Sequence, residues 1–344
     1  MTSSLWSLLL IGTGLGWATT WAVRVLVRRV GILDTPNQRS SHARPMPTLG
    51  GLGIIGGTWL ATGCGYFLLD LPLPPYWGAF SIGSLILIIF AADEIRPMSQ
   101  YLKLFLQVII AAVFIGWGVT LNQVEFPGLG VISLGDFSHP LTLLWLVAIQ
   151  NLYNFMDGID GLAGLEGFLV AGLIGGMALM FVPPIVPLCL ALVGATLGFL
   201  FWNFPPGKIF MGDVGGHFLG LILGVIAVIV NDYGIPFWIC LLFLGAFLID
   251  SMYTIVRRLF RGENIAQAHR FHIYQRLNTM GWSHHQINIL FGSITLLFGG
   301  IGFLNQLGHV RPSYQCLGGL LVLIALGTIR IENQWCKFHQ TGIN

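Results

Sequence analysis

The stretch "NLYNFMDGIDGLAG" sets Asn151, Asn154, Asp157 and Asp160 at strict three-residue intervals. Residues three apart are neighbours on a helix surface, so Asn154 meets Asp157 and Asp157 meets Asp160, while Gly158 and Gly161 loosen the backbone beside them. The side chains offer only carboxylate oxygens and amides, which suit Mg²⁺ or Mn²⁺ and not zinc. A helix-end cap explains one such residue but not four in register. Asp93 and Glu94 follow the apolar run "GSLILIIFAA" directly. Two carboxylates at a helix C-terminus oppose the macrodipole and raise each other's pKa. Either they form a solvated helix end, or a metal ion or cationic group relieves both costs. Asp213 in "KIFMGDVGGHFLG" stands among Gly212, Gly215 and Gly216, which permit close approach of another backbone or a ligand. Taken alone it reads as an N-cap. In "AHRFHIYQRL", His269, Arg270, His272 and Arg276 could hold phosphate through charge-assisted hydrogen bonds. A basic loop flanking a membrane would look the same. As loop residues, Arg270 and His272 are expected to support little packing. The implied chemistry is a divalent metal plus phosphate, ringed by Lys103, Arg270 and Arg276.

The elements that must position these groups are membrane helices. The chain has 344 residues, 55% hydrophobic and only 9% charged, where soluble proteins carry about a quarter charged residues. Apolar segments able to cross a hydrocarbon core of about 30 Å fall at 5–27, 49–69, 76–92, 102–121, 141–157, 162–181, 185–203, 215–231, 235–258, 286–306 and 313–331. The expected fold is therefore all-α: one polytopic integral membrane bundle of about eleven spans, residues 1–344 forming a single domain. The first run lacks a basic leader and a cleavage site, and reads as a retained span. Among the sixteen Lys and Arg, only Arg311 falls in a loop on the other side. By the positive-inside rule the N-terminus is expected outside and the C-terminus in the cytoplasm. Every polar cluster then faces the cytoplasm. Asp250 is the exception, about 12 Å inside its span at 1.5 Å per residue, and an intramembrane carboxylate is functional or pairs helices. A transporter would spread polar residues through the bilayer depth, which makes a non-catalytic lipid or ion transporter the weaker reading. The five cysteines show no paired spacing, so neither zinc nor disulfides are expected.

Together "DTPNQRSSHARPMPTLGGLGI", "ADEIRPMSQYLKLFLQ", "NLYNFMDGIDGLAG", "FMGDVGG", "LIDSMYTIVRRL" and "AHRFHIYQRL" resemble the polyprenyl-phosphate N-acetylhexosamine-1-phosphate transferases, the superfamily that includes MraY, WecA and WbpL. The resemblance covers nearly the whole chain. It implies transfer of a sugar 1-phosphate from a UDP-N-acetylaminosugar to undecaprenyl phosphate at the cytoplasmic face of a bacterial inner membrane, with Mg²⁺ or Mn²⁺ as cofactor. It implies catalytic roles for Asp93, Glu94 and Asp213, and metal ligation by Asp213 and Asn154. Lys103, Asn151, Asn154, Asp157, Asp160, His269, Arg270 and His272 would bind substrate. Membrane lipids are expected partners, nucleic acid is not, and a homodimer stays open. Glu94 stands where most members have Asp, and Gly216 where Ser is common. The loop "AHRFHIYQRL" lacks consecutive histidines, which points to the branch that initiates O-antigen and related polysaccharides. The alternative within the superfamily is the UDP-MurNAc-pentapeptide transferase of peptidoglycan synthesis.

Overall fold

A computed structural model describes residues 2–35, 45–126, 128, 130–263 and 271–340. In chain order it contains α1 (Thr2–Val30), β1 (Leu33–Asp34), β2 (Met46–Pro47), α2 (Gly50–Leu69) and α3 (Trp77–Ile88), which ends in the 3₁₀ turn Ile89–Ala92. There follow α4 (Gln100–Gly116), β3 (Gln123–Phe126), β4 (Gly130–Ser133), α5 (Ser138–Asn154), α6 (Leu162–Phe181), α7 (Val186–Asn203) and α8 (Asp213–Asn231). The chain closes with α9 (Phe237–Phe243), α10 (Gly245–Phe260), α11 (Ile273–Thr279), α12 (His284–Gln306) and α13 (Val310–Gln340). The strands pair antiparallel, β1 with β2 and β3 with β4.

All eleven apolar segments fold as helix. By length and composition, seven helices among the described residues can cross a membrane, or eight if α9 and α10 form one span, against the eleven expected. Two causes separate the numbers. The segments at 76–92, 102–121 and 141–157 yield α-helices of 12, 17 and 17 residues, about 18 and 25 Å at 1.5 Å per residue, the first of them giving way to the 3₁₀ turn at Ile89–Ala92. The segment at 235–258 breaks, and the backbone bends by 82° between α9 and α10.

The chain divides into two compact units, Met1–Leu241 and Leu242–Asn344. In the first, α8 is apolar on every side and packs on α2, α3, α5 and α6, so every residue from Val214 to Asn231 is buried. Helix α1 lies against α2 and α7. Its approach depends on small residues, as is usual in lipid: a Cβ at Gly16 would stand 2.4 Å from the Ala195 carbonyl oxygen.

In the second unit α12 packs on α10, α11 and α13. The Asp250 carboxylate on α10 accepts from the N–H groups of Ile273 and Tyr274 at 2.9 and 3.0 Å and faces His272 Nδ1 at 3.1 Å. The intramembrane acid therefore pairs helices, capping the start of α11 from a different helix. The expectation that His272 supports little packing is overturned: it is 2% exposed, and Arg276 in the same segment is 1% exposed. Their segment is a helical turn, whose Ile273, Tyr274 and Leu277 are buried.

Candidate active site

Two glycine-rich turns far apart in sequence anchor the site in the first unit. The N–H groups of Gly50 and Gly51 donate to the carbonyls of Phe210 and Met211, both at 2.8 Å, and Phe210 N–H donates to Pro47 at 2.8 Å. Helices α2 and α8 then start in contact, since a Cβ on Gly51 would lie 2.2 Å from the Gly215 Cα. Gly212, at φ +74°, turns the chain into α8. Asp213 is consequently the first residue of that helix, where the macrodipole favours a carboxylate.

Onto Asp213 converge the end of α3, the first turn of α4 and the end of α5. Lys103 Nζ lies 2.5 Å from Asp93 Oδ2 and 2.6 Å from Asp213 Oδ2. The other Asp93 oxygen accepts from the Met98 N–H at 2.5 Å. Asn154 Nδ2 donates to Asp213 Oδ1 at 3.4 Å, and Glu94 Oε1 accepts from the Asp213 N–H at 3.4 Å. Lys103 is thus the cationic partner of Asp93 within the acidic pair, while Glu94 turns to the Asp213 backbone.

Negative charge still exceeds positive here. Burial, and then the nearby Asp213, push the Glu94 carboxyl above its ordinary range. Asp157, in the turn after α5, is pushed up to about 8 by burial and by Asp213, Glu94 and Asp160. Crowded carboxylates, whose burial and mutual repulsion raise the Asp157 and Glu94 carboxyls, are ones that a divalent cation would stabilise.

The family model described as "Glycosyl transferase family 4" matches residues 76–231, which hold all the acids just described together with Lys103 and Asn154. A protein of Bacillus subtilis strain 168, "Probable undecaprenyl-phosphate N-acetylglucosaminyl 1-phosphate transferase", is 31% identical over 80% of this chain and 78% of its own length. The chain belongs to glycosyl transferase family 4. A "Decaprenyl-phosphate N-acetylglucosaminephosphotransferase" of Mycolicibacterium smegmatis is 33% identical over 80% of this chain and 75% of its own. A "Phospho-N-acetylmuramoyl-pentapeptide-transferase" of Synechococcus elongatus is 30% identical over 59% and 58%.

Not every residue of the motifs reaches Asp213 in this family 4 chain. Asn151 exchanges two amide hydrogen bonds with Gln107 of α4, at 2.7 and 3.2 Å, which is a helix-packing arrangement. Asp160 accepts from the Gly207 N–H at 3.0 Å and so ties down the turn before α8. His272 belongs to the second unit and is held by Asp250, while His269 and Arg270 lie outside the described residues. The two departures from the family pattern have local explanations. The longer side chain of Glu94 reaches the Asp213 backbone, and a Cβ on Gly216 would come within 2.3 Å of Asn154 Oδ1, so the Asn154 amide takes the space of a side chain there.

Three neighbours escaped the sequence reading. Thr48 hydrogen-bonds Glu94. His217 faces the Asp213 carbonyl through Nδ1 at 2.7 Å and packs on Phe90, with ring centroids 4.8 Å apart. Gln107 is the third. His217 and Gln107 lie one turn beyond Asp213 and Lys103, a spacing of four that marks a shared helix face. Thr48 carried no such signal.

The donor set fits a hard cation in kind, being carboxylates around one ammonium group. Among the described residues no three such groups stand close enough to cage an ion alone, so a bound cation would keep water or substrate oxygens, as Mg²⁺ commonly does. Asp213 is the natural anchor, with Asp157 beside it. Asn154 presents its nitrogen to Asp213, and ligation by this residue needs the opposite amide orientation.

Proposed function

We propose that the chain transfers an N-acetylaminosugar 1-phosphate from its UDP conjugate to undecaprenyl phosphate and releases UMP. The observation that carries this reading is Lys103, held between Asp93 and Asp213 at 2.5 and 2.6 Å, within a chain similar over most of its length to proteins named for that transfer. N-acetylglucosamine is the favoured sugar, because both of those names specify it.

In the reaction, an oxygen of the lipid phosphate attacks the sugar-bearing phosphorus. A new P–O–P link forms as the bond to UMP breaks. The attacking phosphate is already largely ionised, with a second pKa near 6, so it needs positioning and charge neutralisation more than a base. Lys103 supplies one positive charge for a phosphate, and Asp93 and Asp213 hold its ammonium in place. Asn154 steadies Asp213 from the opposite oxygen. A Mg²⁺ or Mn²⁺ ion on Asp213, with Asp157, would neutralise the donor diphosphate. We take the site to face the cytoplasm of a bacterial inner membrane, as the loop charges favour, and the product to begin a cell-surface polysaccharide.

Purified protein incubated with undecaprenyl phosphate and a panel of radiolabelled UDP-sugars tests the proposal. Lipid-linked label from UDP-N-acetylglucosamine, with UMP released, is expected. Label only from the UDP-muramyl peptide would support the second reading, which the Synechococcus relative favours. No lipid-linked label from any donor would sink both.

A further inference from the structure

Helix α10 is amphipathic in an inverted sense. Asp250, Ser251, Thr254 and Arg258 are buried, whereas Met252, Val256, Leu259 and Phe260 are exposed. Its polar side packs inward and its apolar side turns outward, which suits a helix bordered by lipid. Beside that apolar strip, Tyr253, Arg257 and Arg261 recur every four residues and so lie in one line along the helix. All three reach Glu332 on α13. The Tyr253 hydroxyl donates at 3.1 Å, Arg257 donates through two nitrogens at 2.9 and 3.0 Å, and Arg261 pairs at 3.6 Å. Arg276 of α11 also donates to Glu332, with its guanidinium 5.6 Å from the Trp335 ring centroid.

One carboxylate therefore serves three guanidinium groups. The adjacent Arg258 is matched separately by Glu263 at 3.0 Å. Arg276 is 1% exposed, yet among the described residues its Nε and Nη2 meet no acceptor, and neither does Nη1 of Arg257. Buried donors on a charged group are ordinarily satisfied, because leaving them without an acceptor forfeits their hydration. Surplus positive charge and several free donors call for an anion rich in acceptor oxygens. A tetrahedral phosphate has them and matches the guanidinium fork.

We propose that Arg257, Arg261 and Arg276 hold a phosphate group, supplied by the headgroup of an anionic phospholipid. The lipid source is favoured because Arg257 and Arg261 border the exposed strip of Met252, Val256, Leu259 and Phe260, along which acyl chains can lie while the headgroup meets the arginines. Basic residues at a membrane surface attract anionic lipids in any case. The site lies wholly within the second unit and does not rest on the transfer reaction.

The thermal midpoint of the purified chain in neutral detergent, with added phosphatidylglycerol, phosphatidylcholine or inorganic phosphate, tests this. Phosphatidylglycerol should raise the midpoint by several degrees and phosphatidylcholine should not. Arg261→Gln, at a residue 51% exposed, should fold normally and lose most of the shift. Arg330→Gln, an exposed α13 arginine outside the cluster, should keep it. A shift by inorganic phosphate that also needs Arg261 would support the phosphate site and move its source to solution. The proposal is overturned if no phosphate compound shifts the midpoint, or if Arg261→Gln responds as the unaltered chain does.

Discussion

Lys103 is the residue on which the transfer reading turns, since one ammonium group bridges carboxylates from two separate segments. Lys103→Ala should lower turnover by at least about two orders of magnitude, roughly 2.7 kcal/mol, whereas Lys337→Ala, at an exposed tail position, should leave it unchanged. Equal rates for the two variants in the lipid-labelling assay would remove Lys103 from the site. Asp157 sets a pH dependence at the same scale. Its folded value of about 8 lies above its ordinary 3.8, so between those limits the folded state keeps a proton that the unfolded chain has released. The contribution is fully present below about 4 and is lost as pH rises through 8. In metal-free buffer the thermal midpoint should thus be lower at pH 8 than at pH 6, and Asp157→Asn should shrink that gap. A gap of the same size in the variant would assign the pH dependence to another group.

At the scale of elements, the contacts between helices are polar in places where hydropathy shows only apolar runs. Gln107 is 1% exposed and exchanges both amide bonds with Asn151, fixing α4 against α5. Either single change to Leu should cost about 1–3 kcal/mol, because the partner amide loses its side-chain partner. Asn151→Leu should cost the more, since it strands the buried Gln107, whereas Asn151 keeps the Val147 carbonyl at 2.7 Å. The double change should cost less than the sum of the two. A strictly additive cycle, measured by denaturation in detergent, would mean that the pair does not couple the helices. The Asp250–His272 contact attaches α11 to α10 in the same way. His272→Ala should lower stability, by about 1–3 kcal/mol for a lost bond to a charged group, contrary to the expectation for an ordinary loop residue. An unaltered thermal midpoint would restore the loop reading.

For the whole molecule, the loop charges predict an orientation. Apart from Arg311, the sixteen Lys and Arg gather on one side of the apolar segments, from which the positive-inside rule predicts the N-terminus outside and the C-terminus in the cytoplasm. Reporter fusions at both ends should read opposite compartments. Reports from the same compartment would require an even number of crossings, and the bent pair of α9 and α10 is where a crossing is most easily lost. The short helices α4 and α5 matter for the same reason. At 17 residues each they depend on tilt-free insertion or local thinning of the bilayer to cross it.

The sequence by itself determined the class of the protein and the family to which it belongs. An apolar run long enough to cross lipid must form a helix, because its backbone has no other hydrogen-bond partners there. Charges too few to coat a globule leave the bilayer as the solvent. Asp93, Asp157 and Asp213 were legible for the same reason, since carboxylates beside apolar runs need a purpose. Tertiary structure alone decided which of these groups meet. That Lys103 bridges Asp93 to Asp213, that Asn151 serves Gln107, and that Asp160 holds Gly207 all depend on contacts between segments from 10 to 110 residues apart. Local spacing is blind to such pairings. It shows the face on which a side chain lies and leaves the partner helix to packing, as with the Gly51–Gly215 contact where α2 and α8 start together.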